Sequence, residues 1–199
     1  NLTFEEGDHK GEPIQPSLSF GVSVSYYKYP LYEAHEAAKG LLFGKAKNVS
    51  GKNAIALDLR KHSGGSVGIS MSCNDIGMKV AFDEMVAASK VEESVISAVA
   101  HKIRENEGLL DLWIGKHDIE DEEELKKLEA RNSNFFLKYM EHNPDKKDKK
   151  DSDKYKDATL KLLNNISKLP DMTAKDLTQT LYGMLRVAKF INGEEVCDE

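Results

Sequence analysis

Between Leu18 and Tyr26 the chain alternates: Leu18, Phe20, Val22 and Val24 are apolar, while Ser19, Gly21, Ser23 and Ser25 stand between them. A period of two gathers the apolar set on one face, which predicts a half-buried strand over Leu18–Tyr26. Pro30 ends strand pairing but suits the first turn of a helix. Leu31, Ala34, Ala38, Leu41, Leu42 and Ala46 then recur at helical spacing, so a helix is expected to about Asn48, before Ser50-Gly51. Alternation resumes over Lys52–Arg60, with Ala54, Ala56 and Asp58 on one side and Ile55, Leu57 and Leu59 on the other. The turn residues His62-Ser63-Gly64-Gly65 separate this segment from Ser66–Cys73, where Val67, Ile69 and Met71 alternate again. So short a connection predicts an antiparallel hairpin.

Beyond Asn74 the apolar period becomes helical. Five helices are expected, over Ile76–Ser89, Glu92–Ile114, Glu120–His142, Lys154–Ser167 and Thr173–Ile191. Thr173 with Asp176 three residues on is an N-cap signal for the last of them. That helix carries Leu177, Leu181, Met184, Leu185 and Val187, more than one narrow stripe needs, which predicts an exposed apolar surface for a protein partner. The run Asp145–Lys154 has balanced charge and no apolar residue, and reads as a loop between helices. The expected fold class is therefore α+β: a strand–helix–hairpin unit in residues 1–75, then a helical bundle in residues 76–199.

Composition narrows the function classes. A chain of 199 residues with 40% hydrophobic residues can build a core without disulfides or metals. Its net charge of -6, with 31% charged residues, argues against a stand-alone nucleic-acid-binding module, because no global positive field is present. Cys73 and Cys197 form no C-x-x-C pair, so no disulfide framework or zinc site follows, and a reducing cytoplasm is the expected location. No apolar stretch approaches the roughly 18 residues of a membrane span, so no membrane partner is expected.

The order strand, helix, Gly-Lys-Asn, strand resembles the closing part of the palm fold of nucleotidyl and diguanylate cyclases. Ser19–Val24 (S-F-G-V-S-V) is similar to the cyclase strand whose glycine admits a neighbouring element. Leu41–Lys47 (L-L-F-G-K-A-K) followed by Gly51-Lys52-Asn53 resembles A-L-Y-x-A-K-x-x-G-R-N, with one extra residue before the glycine and lysine in place of arginine. The junction Ser25-Tyr26-Tyr27-Lys28-Tyr29-Pro30-Leu31 resembles the H-Y-K-x-P-L or H-H-K-x-P-L segment of the large subunit of type III CRISPR effector complexes, particularly the Cmr type, with Tyr26 where that family has histidine. The motif-level likeness covers roughly residues 17–70.

That resemblance implies a subunit that binds ATP with divalent Mg or Mn, and makes cyclic oligoadenylate when target RNA is recognised. It also implies partners: other effector subunits including a small helical one, the crRNA and the target RNA. The family's metal-holding Gly-Gly-Asp-Asp hairpin does not occur in this sequence, so no catalytic or metal-ligating residue is assigned and no cofactor is expected on this chain alone. Two other readings stand beside it: part of a diguanylate-cyclase-like signalling enzyme, and a non-catalytic helical scaffold for a small helical partner.

Four residues are candidates for nucleotide-phosphate contact: Lys47, Lys52, Asn53 and Lys28. Lys47, Lys52 and Asn53 are close enough in sequence to converge on a triphosphate at one end of the sheet. As alternatives, Lys47 complements the dipole at a helix end and Asn53 pairs within its loop. Lys28 lies among Tyr26, Tyr27 and Tyr29, where rings can stack a base or bury themselves as core. His62, Ser63 and Asp58 have the residue types of a hydrolytic triad but lie too near in sequence to converge readily. His101 and His117 lack a metal-binding spacing. The apolar band Leu109–Ile114, with Trp113, reads as core, with docking of a neighbouring protein by part of it as the alternative.

Overall fold

The computed structural model describes residues 17–48, 52–62, 64–89, 99, 101–103, 105, 122–139, 149–169 and 173–193. In chain order the elements are strand β1 (Phe20–Ser25), helix α1 (Leu31–Leu41) running into a π-helical turn (Leu42–Ala46), strands β2 (Ala54–Arg60) and β3 (Ser66–Ser72), and helices α2 (Ile76–Ala88), α3 (Glu122–Tyr139), α4 (Lys149–Ile166) and α5 (Ala174–Ile191). The expected α+β class is what the structure shows. Of the helix expected over Glu92–Ile114, residues 99, 101–103 and 105 are helical, while Leu109–Ile114 and His117 lie outside the described residues.

The three strands form one sheet in the order β1-β2-β3. β1 pairs parallel with β2, Val22 opposite Leu57, because α1 carries the chain back to the starting end of the sheet. β2 and β3 form the expected antiparallel hairpin, Leu57 opposite Ile69. Alternation gives the sheet two unlike faces. The small face carries Gly21, Ala54 and Ala56; Ala54 and Ala56 pack with Leu41 and Ala46 of α1 and its π turn. Gly21 is required there, because a Cβ would collide with the Ala38 carbonyl and the Leu42 amide.

The large apolar face meets the helices. Ile69 belongs to the main core with Met78, Phe82 and Met85 of α2, Leu162 and Leu163 of α4, and Leu177, Leu181 and Leu185 of α5. The strand-bearing and helical parts of the chain thus share one apolar core across residue 75. Burying one such side chain is worth about 1.5–3 kcal/mol, so this junction is a major source of cohesion.

Three expectations are corrected. The width of apolar surface on α5 is internal: Leu177, Leu181, Met184, Leu185 and Val187 are all buried, because α5 contacts α2, α4 and the sheet together. The apolar face of β1 is only partly covered, with Leu18 69% and Phe20 48% exposed, since the helical core reaches β2 and β3 but stops short of this edge. Helix α4 begins at Lys149, inside the run read as a loop; Asp151 in its first turn suits the helix dipole, and Lys154 pairs with it at 3.2 Å.

Two caps set helix starts. Asp75 accepts from the Met78 amide at 2.8 Å, and Thr173 accepts from the Asp176 amide at 3.1 Å, as the sequence signal at Thr173 implied. At the far ends of α2 and α5, the Asn192 side-chain amide donates to the Val86 carbonyl and the Ser89 hydroxyl, and that hydroxyl donates to the Ala188 carbonyl at 3.2 Å. The clamp adds polar contacts between two helix ends whose Met85, Val187 and Ala188 already share the apolar core.

Candidate functional site

The parallel pairing of β1 and β2 divides the candidate residues between opposite ends of the sheet. Lys52 and Asn53 immediately precede β2 and so stand at its amino end, where the π turn also brings Lys47. Lys28 follows β1 and stands at the carboxyl end, since Ser25 is paired with Arg60. Across seven residues of β2, at about 3.3 Å per residue, the two ends are about 20 Å apart. Lys28 therefore does not join the other three.

At the amino end, Lys47 is exposed and its Nζ lies 4.3 Å from the centroid of the Phe43 ring, a cation–π contact. Lys52 and Asn53 have φ of 53° and 46°, both in the left-handed region that residues with a Cβ seldom occupy. That conformation lets the chain turn sharply into β2. The Asn53 side-chain amide donates to Asn74 Oδ1 at 2.7 Å, and the Asn53 main-chain carbonyl accepts from the Cys73 main-chain amide at 2.7 Å. Asn53 thus links the entrance of β2 to the exit of β3, with one of its two side-chain N–H donors given to Asn74.

The carboxyl end is more highly organised. Arg60 donates from Nε to Asp58 at 2.8 Å and from a terminal nitrogen to the Tyr29 hydroxyl at 2.6 Å. Burial opposes the guanidinium charge, yet the Tyr29 hydrogen bond and the attraction of Asp58 outweigh it and raise the Arg60 pKa above its ordinary value. The Tyr26 ring meets Tyr29 edge-on, with centroids 5.7 Å apart, and meets His62 edge-on at 4.8 Å. Lys28 Nζ lies 5.3 Å from the Tyr27 ring centroid.

No sequence motif marks Arg60, and His62 stands in the sequence as a turn residue and a triad residue type, not as a neighbour of Tyr26. The available signal was alternation, which puts Asp58 and Arg60 on one face, but only parallel pairing places both beside the turn after β1. Asp58 is committed to Arg60 and His62 packs on Tyr26, while Ser63 lies outside the described residues, so Asp58 and His62 are engaged apart from each other. Among the described residues no group of three or more His, Cys, Asp or Glu is placed to hold a metal ion. No described helix is long and apolar enough to cross a membrane.

Comparison with known proteins adds one relationship. A segment of 47 residues, 24% of this chain, is 53% identical to the CRISPR system Cmr subunit Cmr2 of Pyrococcus furiosus, and covers 5% of that protein. This part of the chain is thus similar to a CRISPR Cmr subunit, and the match spans a small fraction of the relative's length. No protein-family model matches the chain.

Proposed function

We propose that this chain is part of the large subunit of a type III CRISPR effector complex and that its sheet is the closing part of a nucleotide-binding palm. The observation that carries the reading is the 53% identity to Cmr2 over 47 residues, supported by the strand–helix–hairpin order in which the cyclase-like motifs stand. In this reading the complex works in the cytoplasm, holds a crRNA, and uses ATP to make cyclic oligoadenylate once target RNA is bound. Lys47 and Lys52 contact the triphosphate from the amino end of β2, and Asn53 holds the turn that presents Lys52. Divalent metal would be held by carboxylates elsewhere in the assembled subunit and, when bound, would supply neutralisation of the triphosphate charge and activation of the attacking hydroxyl. This chain then contributes position and charge, not the metal site.

The diguanylate-cyclase-like reading differs in nucleotide and is separable by the same experiment. The scaffold reading loses its main support, because the apolar surplus of α5 is core. In the assembled complex, product would be followed by chromatography with ATP or GTP, with and without target RNA. RNA-dependent oligoadenylate formation that falls at least tenfold in the Lys47→Ala, Lys52→Ala double variant, with subunit composition unchanged, is the expected result. Unchanged turnover at limiting ATP would remove these lysines from the site, and diguanylate from GTP would replace the reading altogether.

A further inference from the structure

The turn between β1 and α1 carries a ring that the fold does not use. Tyr27 is 89% exposed, and its one ring contact among the described residues is Lys28, whose Nζ lies 5.3 Å from the centroid. An exposed tyrosine gains little from folding. The residues beneath it are nevertheless held firmly: Tyr26 is wedged edge-on between Tyr29 and His62, and Tyr29 is fastened through its hydroxyl to Arg60, which Asp58 holds in turn. An ordered base thus supports an exposed aromatic face with a cation at its side.

We propose that this end of the sheet binds an unpaired nucleotide of a single-stranded nucleic acid, with the base stacked on Tyr27 and the adjoining phosphate met by Lys28. Stacking on an aromatic side chain needs a free ring face and tolerates any base, and a lysine beside the ring supplies charge for the phosphate. Local charge agrees with the assignment. Lys28 is exposed on the turn after β1, and the nearby carboxylate of Asp58 is already paired with Arg60, in a chain whose overall charge is -6. The nearest acid in sequence on the same side is Glu33, one turn into α1. The site lies at the opposite end of β2 from Lys47 and Lys52, and it does not depend on their role.

Fluorescence anisotropy of the 199-residue chain with a labelled ten-nucleotide oligoadenylate RNA tests the site, at low and at physiological salt. Tyr27→Ala is expected to weaken binding roughly tenfold, Tyr27→Phe to keep it, and Lys28→Ala to weaken it while lowering the slope of log affinity against log salt by roughly 0.7. Both side chains are exposed, so circular dichroism melts should match the parent chain. Competition by AMP at millimolar concentration would identify free nucleotide as a ligand of the same site. A matching DNA probe shows whether the sugar matters. The proposal is overturned if the parent chain does not bind the RNA, if Tyr27→Ala binds as well as the parent, or if only Lys47→Ala and Lys52→Ala reduce binding. Retained RNA affinity with loss of a protein partner in the assembled complex would make the turn a protein contact instead.

Discussion

Gly183 of α5 lies against Gly68 of β3 so closely that a Cβ at position 183 would stand 2.6 Å from the Gly68 carbonyl oxygen and 3.1 Å from Ile69 Cγ2. The missing side chain lets the last helix rest on the sheet backbone and brings Ile69 into the same core as Leu177 and Leu181. The helical part and the strands are joined at this crossing.

Gly183→Ala should therefore destabilise the chain by about 1–3 kcal/mol, since the added methyl meets backbone that cannot rotate away. Gly40→Ala is the control: it lies within α1 with nothing near its missing Cβ, and the substitution should add about 0.5–1 kcal/mol through helix propensity. Urea unfolding followed by circular dichroism measures both. Equal midpoints for the two variants would show that the crossing is looser than the structure describes.

Gly21→Ala is expected to cost more than Gly183→Ala. The obstructing atoms are the Ala38 carbonyl and Leu42 amide, both helix backbone, so α1 would have to move off β1 and uncover Leu41, Ala54 and Ala56. Loss of at least 3 kcal/mol, or failure to fold at 37 °C, is the expected outcome in the same unfolding assay.

Tyr155 gives an alkaline signature. Burial in the core raises its phenol pKa well above the ordinary value of about 10, an effect that Arg186 only partly opposes. The sign follows from linkage. The unfolded chain releases this proton near pH 10 while the folded chain keeps it, so the contribution is complete below about pH 10 and is lost as pH rises toward the folded-state value. Among the described residues the buried hydroxyl has no hydrogen-bond partner, so Tyr155→Phe should be neutral or stabilising by about 1 kcal/mol at pH 7.5. Its advantage over the parent should grow between pH 10 and 11, measured by urea midpoints at each pH.

Lys52 separates conformation from charge. Its φ of 53° costs a residue with a Cβ about 1 kcal/mol, which glycine avoids, so Lys52→Gly should stabilise the chain by about that amount. If Lys52 also contacts a triphosphate, the same variant loses ATP turnover in the assembled complex. Gain in both stability and turnover would leave Lys52 as a turn residue alone.

Much of this architecture was legible along the chain. Strict alternation over Lys52–Arg60 sorted Ala54 and Ala56 from Ile55 and Leu57, and the structure keeps that sorting on the two faces. Thr173 marked the start of α5. Less legible was the start of α4, whose first turn carries charged residues and no apolar period and is favoured by a helix-end charge and a local ion pair, while the rest of the helix is held by the core. At the candidate site, Lys47, Lys52 and Asn53 were grouped by proximity in sequence, and β2 does keep them at one end. Arg60 and His62 were not grouped with Tyr26, because more than thirty residues separate them and only the pairing of Ser25 with Arg60 brings them together.

By itself the sequence determined the type and approximate span of the described strands and helices and how each element's side chains divide between faces, since these follow from local sterics and the periods of 2 and 3.6. Which face is covered was decided by tertiary structure. The apolar breadth of α5 and the apolar face of β1 look alike in sequence, yet the first is buried against three neighbours and the second is left half open at a sheet edge. The reason is physical: an apolar pattern measures how much surface favours leaving water, whereas the element that covers it comes from elsewhere in the chain and is placed by packing.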